Sequence, residues 1–180
     1  MRLFRFIALI ANLISVARAF KYAVVLDCGS RGTRLHVFRR SFDGSIEDIL
    51  PQPLKIVPGL STFADHPHGA VEYLLPLLKF AGTVVPAEAH SHDPDSAARG
   101  LGGDASVFTE VFLMGTGGMR QLSQAQEDAV LDAAVNGLND RRSAGPHDSG
   151  HGQPFLLKRH QAVTLSGAAE VRICACFALV

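Results

Sequence analysis

Residues 24–40, VVLDCGSRGTRLHVFRR, constrain the fold of this chain more than any other stretch. An apolar run breaks at an acid and a glycine-rich turn, then resumes with alternation. The run at residues 22–26 is short, β-branched and without polar relief, which suits a strand buried on both faces better than a helix. It stops at Asp27. Cys28-Gly29-Ser30-Arg31-Gly32-Thr33 then supplies two glycines able to take positive φ, with hydroxyls on either side. Leu35, Val37 and Phe38 resume a strand, so the expectation is a β-hairpin. In such a bend successive backbone N–H groups converge on one point and form an anion nest, to which Ser30, Thr33 and Arg34 add donors and charge. Asp27 faces the same point in this reading. A carboxylate is repelled by bound phosphates, so its expected work there is to hold hydrated Mg²⁺ or Ca²⁺ by oxygen ligation. Turns also need glycine and serine for geometry alone, and this stretch by itself leaves a plain hairpin open. No G-x-x-x-x-G-K-[ST] or G-x-G-x-x-G occurs, so it is neither a Walker loop nor a dinucleotide fingerprint.

The pattern continues along the chain. Phe42-Asp43-Gly44-Ser45 is a turn signal, and residues 54–57 are a short strand candidate running into Pro58-Gly59. A helix is expected next, with Asp65 as cap, Pro67 in the first turn and Ala70, Val71, Leu74, Leu75, Leu77, Leu78 and Ala81 on one broad core face. Pro76 should bend it. Residues 86–105 are rich in alanine, glycine, aspartate and histidine and read as a surface insertion. His90 with His92, and His147 with His151, have metal-like spacing, but a structural zinc site needs four ordered ligands and no cysteine lies near. Phe108, Val111, Phe112, Leu113 and Met114 then form a strand that ends in Gly115-Thr116-Gly117-Gly118-Met119-Arg120. Its glycines let the backbone approach a ligand closely, with Thr116 and Arg120 as donors. A helix over residues 123–137 opens on a capping box, Ser123 with Gln126. Residues 139–153 form a second polar loop, and residues 155–157 and 162–165 are two further short strands.

These residues resemble a known family. Residues 27–34, DCGSRGTR, followed by Leu35-His36-Val37-Phe38, are similar to the first signature of the nucleoside triphosphate diphosphohydrolases, the apyrase family. That signature reads approximately D-A-G-S-[ST]-G-[ST]-R-h-h-h-[FY], so Cys28 and Arg31 are substitutions. Residues 58–65 resemble the family's P-G-L-S-x-[FY] loop, and residues 115–120 its second signature, A-T-[AG]-G-[ML]-R. Ser166-Gly167-Ala168-Ala169-Glu170 meets the first half of the third, [ST]-G-x-x-E-G-x-x-x-W, and then departs from it: Val171 replaces glycine and the chain has no tryptophan. Nothing corresponds to the fourth region, roughly D-[LMF]-G-G-[AG]-S-[TLM]-[EQ].

The resemblance implies an α/β fold, the amino-terminal lobe of an actin, Hsp70 and sugar-kinase type (ribonuclease H-like) structure, incomplete here. The lobe covers residues 20–170, with insertions near 86–105 and 139–153, and residues 171–180 are a divergent tail. It further implies hydrolysis of nucleoside di- and triphosphates with Mg²⁺ or Ca²⁺. Gly29, Ser30, Gly32, Thr33, Arg34, Thr116, Gly117, Gly118 and Arg120 would bind phosphate, Asp27 the metal, and Glu170 would be the catalytic base that activates water. With the later signatures missing, a truncated form is expected. The alternative is a non-catalytic fragment or pseudo-enzyme that binds phosphate weakly or acts as an interaction module.

Composition narrows the partners and the compartment. With 17 basic and 17 acidic residues there is no electrostatic case for nucleic acid. Residues 1–19 carry Arg2 and Arg5, an apolar segment and an Ala17-Arg18-Ala19 ending, the layout of a secretory signal peptide. The apolar segment is too short to span a bilayer comfortably, so no transmembrane span is expected after cleavage, and an uncleaved membrane anchor is the alternative. Three cysteines, Cys28, Cys174 and Cys176, do not make a disulfide framework.

Overall fold

The computed structural model describes residues 21–41, 43–90, 109–142 and 152–168. Residues 1–20, with the expected signal segment, and His92, His147, His151, Glu170 and residues 171–180 lie outside the described residues. Strand β1 (Lys21–Gly29) and strand β2 (Gly32–Arg40) form the expected hairpin, antiparallel in register from Lys21↔Arg40 to Gly29↔Gly32. Strands β3 (Ile46–Asp48) and β4 (Leu54–Ile56) share the outer edge of β2, β3 at Phe38 to Arg40 and β4 beside the turn at Thr33 to Leu35. Strand β5 (Glu110–Gly115) runs parallel along the other side of β1, and β6 (Ala162–Thr164) runs parallel along β5. The order is β3-β2-β1-β5-β6, a mixed α/β sheet of the class expected.

Helices α1 (Gly69–Val84) and α2 (Gln124–Asp140) pack against each other and contribute to one core with the sheet. Val24, Leu26, Leu35, Val37, Val111 and Leu113 are buried in one cluster with Leu74, Leu77 and Leu78 of α1 and Val130, Leu131 and Ala134 of α2. Side chains alternate across a strand, and Val25, between Val24 and Leu26, is also buried but outside that cluster. The unrelieved apolar run of β1 thus reflects a central strand buried on both faces, as expected.

Three local expectations are corrected. Helix α1 does not start near Asp65: residues 60–63 form a 3-10 turn, turns follow through Gly69 N–H to the His66 carbonyl at 2.9 Å, and His68 is the N-cap without a side-chain bond. Helix α2 runs three residues beyond Gly137, to Asp140, and its Ser123–Gln126 capping box is present as expected. Residues 155–157 pair with no strand among the described residues. Asn139 and Gln153 side chains take the place of a neighbouring strand: Leu157 N–H donates to Asn139 Oδ1 at 3.0 Å, Asn139 Nδ2 donates to the Leu157 carbonyl at 2.9 Å, and Phe155 N–H donates to Gln153 Oε1 at 2.6 Å. His90 serves packing: its ring lies edge-on to Phe155 with centroids 5.5 Å apart, and Nε2 sits 3.0 Å from the Val85 carbonyl.

Candidate anion cleft

The cleft forms where β1 and β5 end together, with Cys28 opposite Gly115. Just beyond, Thr116 donates its N–H to the Cys28 carbonyl at 3.1 Å and its hydroxyl to the same oxygen at 3.3 Å. This brings the two glycine-rich loops side by side. A third loop, Pro58-Gly59-Leu60-Ser61, packs against both. A Cβ on Gly59 would stand 2.5 Å from the carbonyl oxygens of Gly29 and Ser30, and one on Gly118 would stand 2.8 Å from Ser30 Cα and 2.7 Å from Ser61 Oγ. Only glycine permits such approach of backbone to backbone. At the hairpin exit Gly32 combines φ +151° with a Cβ position 2.5 Å from the Ile56 carbonyl, so both conformation and space demand glycine.

The resulting cleft, of about 200 Å³, is lined by Asp27, Gly29, Ser30, Arg31, Gly32, Arg34, Lys55, Thr116 and Gly117. Its charged residues are three cations and one acid. Arg34 Nη1 pairs with Asp27 Oδ2 at 3.2 Å across the β1–β2 ladder, with both side chains partly exposed, so the pair itself contributes little. The second oxygen of Asp27 makes no hydrogen bond with the described residues.

Of the expected contacts, Gly29, Ser30, Gly32, Arg34, Thr116, Gly117 and Asp27 line this cleft. Thr33 does not. Alternation along β2 turns it to the face opposite Arg34, where it is fully buried, its N–H donating to the Tyr73 phenolic oxygen at 3.1 Å and its hydroxyl also 3.1 Å from that oxygen. Gly118 lies behind the lining, against Ser30 and Ser61. Arg120 is exposed and donates to the Leu165 carbonyl at 3.0 Å, with its guanidinium near Gly117. Among the described residues there is no group of three or more side chains suited to hold a metal.

Three features were not foreseen. Lys55 joins the cleft because β4 pairs with β2 in the register Arg34↔Lys55; the available signal was a lone lysine between Leu54 and Ile56, too short a run to fix a partner. Tyr73 reaches from α1 to the underside of the hairpin, and burial raises its phenol above the ordinary value, partly offset by the bonds from Thr33. Cys28 is fully buried, and desolvation pushes its thiol up to about 12, against a smaller lowering by its bond with Thr33. It fills space as a small apolar residue.

Fold and cleft together define an α/β domain with a net-positive cleft on glycine-rich loops at the ends of adjacent parallel strands. The GDA1/CD39 (nucleoside phosphatase) family pattern matches residues 14–150, and the chain belongs to that family. It is 34% identical over 148 residues to nucleoside-triphosphatase ntp-1 of Caenorhabditis elegans, a match covering 78% of this chain and 24% of that protein. It is 33% identical over 161 residues to ectonucleoside triphosphate diphosphohydrolase 7 of Mus musculus, covering 83% of this chain and 22% of that protein. The chain thus spans about a quarter of the length of these curated relatives. Among solved structures, nucleoside triphosphate hydrolase from Neospora caninum is similar at a TM-score of 0.42 and 18% identity, over 93% of this chain and 33% of that one.

Proposed function

We propose that this chain forms the phosphate-gripping part of a nucleoside di- and triphosphate phosphohydrolase that works with a divalent cation. The observation that carries the reading is the meeting of two glycine-rich loops, braced by a third, at one net-positive cleft at the β1 and β5 ends. Unpaired loop N–H groups and Ser30 bind phosphate oxygens, the Thr116 hydroxyl turns from its long bond with the Cys28 carbonyl to join them, and Arg34 neutralises their charge. Asp27 suits Mg²⁺ or Ca²⁺ as a single carboxylate, because Mg²⁺ in phosphate sites is commonly held by one or two carboxylates together with substrate oxygens and water. Such a cation supplies charge stabilisation to the transferred phosphoryl group. Glu170, by its place in the third signature, is the base that takes the proton of the attacking water. The amino-terminal segment directs the chain to the secretory pathway, with a mature end at Phe20 that amino-terminal sequencing of secreted protein would reveal.

Calorimetric titration of the full chain with ATP and with inorganic tripolyphosphate, with and without Mg²⁺, tests the site. Replacing Arg34 by alanine removes a charge-assisted contact and is expected to weaken both ligands about tenfold. Unchanged affinity would refute the cleft as the phosphate site. Phosphate release compared with Glu170→Gln separates the enzyme from the alternative, a protein that binds phosphate without turning it over.

A further inference from the structure

The row of side chains that crosses the sheet at the cleft carries more positive charge than its own acid neutralises. Asp27, Arg34 and Lys55 lie opposite one another on β1, β2 and β4. Arg34 pairs with Asp27, whereas exposed Lys55 has no ion pair among the described residues. Two cations directly opposite each other on neighbouring strands repel, and an anion placed between them turns that repulsion into shared attraction. Arg31 stands exposed at the tip of the hairpin, also without an ion pair among the described residues, and lines the same cleft. Asp27 offsets the charge of Arg34, which leaves Arg31 and Lys55 as cleft cations with no acid partner among the described residues. Such surplus charge is matched better by the several negative charges of a phosphate chain than by a single phosphate group.

We propose that Arg31 and Lys55 form a second cationic clamp that selects polyphosphate chains over single phosphate groups. The inference rests on the phosphate-site reading above. Lysine acts as a point charge that accepts several oxygen geometries, and arginine adds a fork for two oxygens, so the pair reads charge number more than shape. Its contribution is exposed and therefore screened by salt.

The test is calorimetry on the full chain with inorganic tripolyphosphate and with orthophosphate, at low and physiological salt. Lys55→Gln and Arg31→Ser, checked for native circular dichroism, are each expected to weaken tripolyphosphate about five- to tenfold. Orthophosphate should stay within about twofold, and the salt dependence of tripolyphosphate binding should flatten. Equal losses for the two ligands, or retention of the wild-type preference by the double variant, would overturn the clamp. If the wild type binds both ligands and only this preference fails to depend on the two residues, the phosphate site stands without the clamp. If the wild type binds neither ligand, both readings fall.

Discussion

Under the cleft, one phenol ties three segments together. Tyr73 accepts the Thr33 N–H and lies within hydrogen-bond reach of the Thr33 hydroxyl and the carbonyls of Ile56 and Pro58, so the hairpin, β4 and the third loop share one anchor on α1. Tyr73→Phe keeps the ring's packing against Phe63, whose centroid is 5.0 Å away, and removes only the anchor. Leaving the buried Thr33 N–H without this acceptor should cost about 1–3 kcal/mol, read as a lower thermal midpoint, with weaker tripolyphosphate binding as the cleft loosens. Cys28 makes a second prediction at this scale. Its folded thiol titrates at about 12 against an ordinary 9.0, so the folded state keeps a proton that the unfolded chain gives up. The associated stability is complete below about pH 9 and is lost as pH rises from there towards 12. Cys28→Ala should flatten the alkaline fall in stability measured by urea denaturation, and alkylation of the native thiol near pH 8 should be slow.

Among the elements, the helix pair carries a constraint hidden from propensity. Gly137 lies within α2, where alanine would be favoured by about 1 kcal/mol. Its absent Cβ, however, would overlap Val71 Cγ2 on α1, and a valine in a helix has little freedom at χ1 to move aside. Overpacking of this kind costs about 1–3 kcal/mol, so Gly137→Ala should destabilise, and adding Val71→Ala should recover part of the loss in thermal melts. The capping box of α2 was legible because its signal is local: Ser123 and Gln126 lie one turn apart. The start of α1 was not, since Asp65 and Pro67 satisfy the same local rules as a cap and first turn, yet the chain is still turning through residues 64–68. Residues 155–157 were apolar enough to read as a strand. What replaces the ladder is a pair of amide side chains, buried Gln153 and half-buried Asn139, and single polar residues carry no periodic signal.

At the scale of the molecule, the hairpin, the strand at β5 and both glycine-rich breaks followed from apolar runs broken by glycine, whereas the parallel pairing of β5 with β1 is a long-range contact that no local pattern carries. Which side chains enter the cleft did not follow either, because that depends on register. Thr33 and Arg34 both read as donors in the sequence, and alternation on β2 sends one into the core and the other to the cleft. Lys55 required knowledge that β4 folds back onto β2 rather than extending the sheet elsewhere. The bond between Thr116 and the Cys28 carbonyl spans 88 residues of chain. Closing a loop of that length costs about 4 kcal/mol in chain entropy before any contact offsets it. The hairpin needs no such closure and can form early from neighbouring residues, as a bent ribbon with half of a grip. Only when β5 docks beside β1 does the second half arrive, so recovery of tripolyphosphate binding during refolding would mark completion of the sheet rather than formation of the hairpin.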